Sequence, residues 1–292
     1  MTIAIDSRRE IGWNGVRFSC PGKWESIVLG DSHLLFEDDF QPVLELRWQR
    51  HKKKDKDSST AIARKLQRES GLSPQQSVPL SWQELRGGYK IQLLTEKKQD
   101  KQPRAALITC RTCGTTFLLS FFEKLPLSHP DLTAILSSLQ CHDQGDDTRL
   151  WSIQDFRILL PHTLHLSSHS FAAGLSRLSF NDASLTMHLC RISSAAQRLE
   201  QTDLTDLMFT LGDITVPKED VQRNGQSVSH SSQPSIFAQI VSRCKRKAPF
   251  HRMVLRHHPH YDRLSGLFFF DKKPIPDMMV SSILDSYELF PS

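Results

Sequence analysis

The sequence predicts an α+β fold: two tandem α/β/α sandwich domains, each an antiparallel sheet covered by helices, spanning residues 1–146 and 147–292 and related by internal duplication. Three observations lead there. The stretch Phe121-Phe122-Glu123-Lys124-Leu125-Pro126 returns as Phe269-Phe270-Asp271-Lys272-Lys273-Pro274, 148 positions later. Each copy reads as a buried strand leaving the core and ending at a proline, which cannot donate to a ladder. After each copy come Pro-Asp and an apolar stripe of helical period, Leu132, Ile135, Leu136 and Leu139 in the first and Val280, Ile283, Leu284 and Tyr287 in the second. Between these markers, runs of strands are broken by single helices. That order favours antiparallel sheets over a doubly wound parallel one.

In the first copy, Trp13–Pro21 reads as one strand, with Val16, Phe18 and Cys20 facing inward and Pro21 ending it. Trp24 is expected in the core. Leu34–Phe36 and Val43–Trp48 alternate as further strands. A basic run, Arg50–Lys56, precedes a helix capped at Ser58 or Ser59, with Ile62, Ala63 and Leu66 on its buried side and Gly71 stopping it. After a loop over 72–81, Tyr89–Thr95 and Arg104–Thr109 form a hairpin with a charged tip at 97–101, and Thr115–Phe122 is the strand leading into the repeated motif. Ser128 is expected to cap the closing helix.

The polar linker Asp143-Gln-Gly-Asp-Asp147 marks the boundary. Beyond it, Phe156–Pro161 matches Val16–Pro21 with arginine and proline in register, Leu178–Asp182 answers Leu34–Asp38, and a helix from Ser193 carries Ala196, Leu199, Leu207 and Leu211. The offset between copies grows from 140 to 144 to 148, as surface loops gain residues. Thr215–Pro234 is polar and rich in Ser and Gln, and is expected to be a mobile insertion. Arg252–Arg256 and Leu264–Phe270 supply the closing strands.

A chain of 292 residues has length for two domains that bury adequate cores without metals or disulfides. With 38% hydrophobic and 24% charged residues, the composition is that of a soluble globular protein. The net charge of +5 divides as +3 up to residue 146 and +2 beyond it, so neither half is a basic tail. The N-terminus has no apolar stretch of export type, and the longest apolar runs are strand-length, so no membrane partner is expected. Six cysteines are too few for a disulfide scaffold, and reduced thiols in a cytoplasm are the expectation.

The opening Val16-Arg-Phe-Ser-Cys-Pro-Gly-Lys-Trp24, the Leu-x-Phe-x-Asp strand at Leu34–Asp38 and the terminal helix ending near Ser137-Ser138-Leu139 resemble the Mog1/PsbP-like fold, and the likeness covers each half. The resemblance implies a non-enzymatic binder, since one class of that group engages a small GTPase and another assists photosystem assembly. It carries over no binding residue.

Cys110-Arg-Thr-Cys113-Gly114 has zinc-knuckle spacing, but with no second Cys-x-x-Cys in the sequence it reads first as a plain hairpin turn with Gly114 at an unusual backbone angle. At the offset of 148, Cys110 lies opposite His258 and Thr112 opposite His260, so Cys110, Cys113, His258 and His260 form a candidate zinc set. From Val221 to Tyr261 there is no Asp or Glu, while Arg223, Arg243, Lys245, Arg246, Lys247, Arg252 and Arg256 are present. Of these, Arg243, Lys245, Arg246, Lys247, Arg252 and Arg256 are candidates for contacting a partner; the tract reads otherwise as a solvated basic edge. His162, His165 and His169 fall in one loop without a telling partner. No phosphate loop, nucleophile elbow or metalloprotease motif occurs. The expected function is therefore a scaffold or accessory subunit that binds another protein with an acidic surface. The alternatives are a nucleic-acid or phosphate-ligand binder using the basic tract, and an enzyme with a site at the domain interface.

Overall fold

The computed structural model describes residues 8–50, 58–75, 78–95, 104–123, 125–142, 145–214, 221–232, 234–235, 239 and 248–290. The chain divides into two compact units, Met1–Gln154 and Asp155–Ser292. Both are α+β and predominantly antiparallel.

The first unit opens with a hairpin, β1 (Arg8–Trp13) and β2 (Val16–Pro21). Asn14 and Gly15 turn it, at φ 45° and 73°. That pair is the preferred chemistry for a two-residue turn needing two left-handed residues. The single strand expected over Trp13–Pro21 is thus two strands, because the turn signal outweighs the apolar alternation around it. β3 (Glu25–Gly30), β4 (His33–Asp38), β5 (Gln41–Gln49), β6 (Ser73–Gln75), β7 (Tyr89–Thr95), β8 (Ala105–Cys110) and β9 (Thr116–Phe121) form a seven-stranded sheet of order β3-β4-β5-β9-β8-β7-β6. β10 (Thr148–Ile153) pairs with β1, so it belongs to this unit although it lies past the polar linker.

Helix α1 (Ser58–Ser70) covers one face of the sheet through Leu66, which packs with Leu94, Ala105, Leu107 and Leu118. The side chains of Ile62 and Ala63 lie outside the described residues. Gly71, at φ 67°, stops the helix as a glycine in the left-handed region does. Pairing puts Trp48, Phe117, Leu119, Phe121, Ile108 and Cys110 on the opposite face. Phe18 of β2 lies edge-on to Phe36 of β4 there, with centroids 5.6 Å apart. Helix α2 (Pro130–Ser138) packs against β2 and buries Leu132, Ile135 and Leu136, the expected stripe. Its cap is His129, whose Nδ1 accepts the Asp131 N–H at 3.2 Å, not Ser128. Pro130 occupies the first helical position, where its missing N–H costs nothing, and this fixes the start one residue later than expected.

The second unit contains β11 (Phe156–Pro161), β12 (His165–Ala172), β13 (Leu175–Asn181), β14 (Thr186–Ser193), α3 (Ala195–Gln201), α4 (Leu204–Gly212), β15 (Val221–Asn224), β16 (Ser227–Ser231), β17 (Phe250–His258), β18 (Arg263–Asp271), α5 (Asp277–Asp285) and β19 (Glu288–Leu289). Its seven-stranded sheet runs β12-β13-β14-β18-β17-β16-β15. The helix expected from Ser193 is two helices. Asp203 accepts the Thr205 N–H at 3.0 Å and starts α4 afresh. Met208 and Phe209 of α4 pack on Cys190, Met253, Leu255 and Phe268, while α5 buries Val280 and Ile283 and packs against β11.

Two expected loops are strands. His165 and His169 stand on β12, whose pattern hides because its apolar members, Leu166, Phe171 and Ala172, are few. Val221–Ser231, expected as mobile insertion, is the β15–β16 hairpin: Gly225 at φ 55° turns it, and Val228 and His230 bury beneath α4. Residues 215–220 of that stretch lie outside the described residues. Among the described residues, no helix is long and apolar enough to cross a membrane.

Candidate metal centre

The β8–β9 turn carries Cys110 at the end of β8 and Cys113 in the turn proper. The Cys110 N–H donates to the Thr115 carbonyl at 2.9 Å, and the Gly114 N–H donates to the Cys110 carbonyl at 3.0 Å. Gly114 sits at φ 72°, which a residue with a Cβ rarely adopts, so this glycine permits the tight reversal. Strand pairing places Cys110 on the sheet face opposite α1, the face that Phe18 of β2 meets.

On that face the chain leaving α2 arrives. Gln140 forms a two-way backbone bridge with Arg17 of β2, at 2.9 and 2.8 Å. The Tyr89 hydroxyl of β7 donates to the Leu139 carbonyl at 2.6 Å. These bonds fix Cys141 and His142 over the turn. The sulfurs of Cys110, Cys113 and Cys141 and a ring nitrogen of His142 all lie within 4.8 Å of one another. Cys113 Sγ is 3.4 Å from Cys141 Sγ, and His142 Nδ1 is 3.7 Å from both Cys110 Sγ and Cys141 Sγ. Cys110 and Cys141 are buried, Cys113 is half-buried and His142 is exposed. This donor set could hold a metal ion.

Electrostatics within the cluster is asymmetric. The Cys141 thiol donates to the Cys113 sulfur, and the Thr115 hydroxyl lies 3.1 Å from the same sulfur, so Cys113 is held well below the ordinary thiol range. Cys141, as the donor and a buried group, is pushed up. Burial and the neighbouring thiols also raise the Tyr89 hydroxyl.

The sequence named half of this cluster. Cys110 and Cys113 are in it; its other two members, Cys141 and His142, come from the same unit, the first of them 28 positions beyond Cys113. The one signal for them was a Cys-His pair directly after an amphipathic helix. His258 and His260 belong to the second unit. There His258 Nε2 is 2.8 Å from Ser265 Oγ, and His260 lies edge-on to Tyr261.

Of the basic candidates, Arg243, Lys245, Arg246 and Lys247 lie outside the described residues. Arg252 is paired with Asp277, and Arg256 is exposed on β17. Arg223, in the same tract, bonds Asp203 at 2.8 Å. A second cluster, not expected from the sequence, is three histidines at one end of the second sheet. His230 and His251 stack with Nε2 atoms 3.1 Å apart, and His188 and His251 flank Phe270. His251 also borders a cavity of about 470 Å³ with Ser231, Ser232, Arg252 and Asp277.

No protein-family model matches this chain, and no curated protein matches it.

Proposed function

We propose that this protein is a non-catalytic binding protein, a scaffold or accessory subunit built from two duplicated Mog1/PsbP-like units. The observation that carries the reading is the common strand order of the two seven-stranded sheets, in which each strand of one answers a strand of the other. Details recur at the sequence offsets. Ser138 Oγ, at the end of α2, accepts the Ser19 N–H at 3.0 Å, and Ser286 Oγ, just after α5, accepts the Leu159 N–H at 3.1 Å. Arg17 bridges Gln140, and Arg157 pairs with Glu288. Duplicated sheets offering similar faces suit the assembly of other proteins, and a fold alone assigns no chemistry.

The preferred partner is a protein with an acidic face. The chain's pI of about 8.9 is lower than a basic domain built for nucleic acid carries, which favours the protein partner. Copurification with chemical crosslinking from the native host tests the reading: a stoichiometric protein partner crosslinked to lysines of the chain is expected. Titration of labelled duplex and single strands at low and moderate salt supplies the opposing result. Tight binding that falls steeply with salt replaces the protein partner with nucleic acid.

A further inference from the structure

We infer that the first unit holds one structural zinc ion, bound by Cys110 Sγ, Cys113 Sγ, Cys141 Sγ and His142 Nδ1. Zinc prefers four ligands at tetrahedral angles, with bonds of about 2.3 Å to sulfur and about 2.0–2.1 Å to nitrogen, which sets ligand-to-ligand edges of roughly 3.5–3.8 Å. Three of the six edges here, at 3.4, 3.7 and 3.7 Å, have about that size, and the other three lie within 4.8 Å. Three thiolates and an imidazole are a soft donor set that selects zinc over magnesium, calcium or manganese. With all four positions filled by protein, the ion has no open site for a reacting water, so its role is structural.

The surroundings serve such an ion. The Thr115 hydroxyl beside Cys113 Sγ offers a donor to a thiolate, as outer groups do at metal centres. Binding through His142 Nδ1 leaves Nε2 to the surface, where His142 borders a cleft of about 40 Å³ with Arg17 and Gln140. The ion joins two segments distant in the chain, the β8–β9 turn and the exit of α2. The matching corner of the second unit is closed differently. There β19 follows α5 and buries Leu289, and His258 at the end of β17 bonds Ser265. Apolar packing stands in one corner where sulfur ligands stand in the other. A Cys113–Cys141 disulfide would use two of the four donors and leave Cys110 and His142 facing each other without purpose.

Metal analysis of the full-length protein, purified under reducing conditions without chelator, is expected to find one zinc per chain. Cys141→Ser should abolish it, and Thr112→Ala, in the same turn, should keep it. His142→Ala should retain the ion on three sulfurs, with a water entering the exposed position. It should yield zinc to a competing chelator at least as readily as the roughly 10–100-fold loss that follows removal of an outer partner. Should Cys141→Ser fail to fold, the unaltered protein reconstituted with cobalt decides the matter, through a charge-transfer band of three-thiolate intensity and tetrahedral ligand-field bands. Metal-free protein with accessible thiols after zinc addition overturns the inference. So does iron in place of zinc, a Cys113–Cys141 disulfide found by mass spectrometry, or zinc retained in Cys141→Ser.

Discussion

At the scale of single residues, the least ordinary position is Phe40. Asp39 and Phe40 form the two-residue turn between β4 and β5, at φ 54° and 56°. Both need the left-handed region, where glycine is the usual second residue and a bulky side chain costs about 1–2 kcal/mol. Phe40 is also 83% exposed, so packing returns nothing for that strain. Phe40→Gly is therefore expected to stabilise the protein by about 0.5–1 kcal/mol, once the greater freedom of glycine in the unfolded chain is subtracted. Urea denaturation, showing a higher midpoint at unchanged slope, checks this. A lower midpoint would mean that Phe40 makes contacts in the folded protein beyond its own hairpin.

At the scale of elements, the second unit is tied by one buried carboxylate. Asp155, at the start of β11, is 5% exposed. It receives Arg191 of β14, through Nε at 3.0 Å and through its terminal nitrogen, and Arg263 of β18 through Nε at 3.3 Å. Its own carbonyl accepts the Phe290 N–H at 2.8 Å. Two guanidiniums on neighbouring strands would repel one another without this anion. Removing one member of a buried ionic group leaves uncompensated charge, a loss of roughly 3–5 kcal/mol. Asp155→Asn should cost about 3 kcal/mol in chemical denaturation. Replacing Asp155 and Arg191 together by apolar residues should cost less than the sum of the single changes. Additive costs would show that the three side chains do not act as a unit.

For the whole molecule, stability should follow pH through its half-buried histidines. Burial lowers His188 and His251 to about 4 from an ordinary value near 6.5, with Arg177 acting on the first and His230 on the second. Above about pH 6.5 both are neutral in folded and unfolded chains and contribute no slope. Between about 6.5 and 4 the unfolded chain takes up protons that the folded one refuses, so stability falls as pH falls; below 4 the slope vanishes. Discounted for solvent screening, each histidine accounts for about 1–2 kcal/mol across that window. His188→Gln and His251→Gln should each flatten the loss of stability between pH 6.5 and 4, read as urea midpoints at several pH values. Unchanged slopes in both variants would assign the acid sensitivity to other groups.

The sequence determined whatever depends on local chemistry. The apolar alternation of β5, the apolar run of β9, the stripe of Leu132, Ile135 and Leu136, and the glycine that stops α1 are all properties of neighbours in the chain. So is the Cys-x-x-Cys-Gly turn, which announced half of the candidate metal centre. Asn14-Gly15 was equally legible as a hairpin turn, and the run of inward residues after it disguised it as mid-strand. Other features exist only after folding. Cys141 and His142 meet Cys110 because Gln140 bridges Arg17 and Tyr89 holds the Leu139 carbonyl. The tract without acids finds Asp203 and Asp277, and three histidines from separate strands converge beside Phe270. Local patterns fix which way a side chain points, while strand order decides which distant side chains share a face, and a cluster of three sulfurs and an imidazole is a property of a shared face.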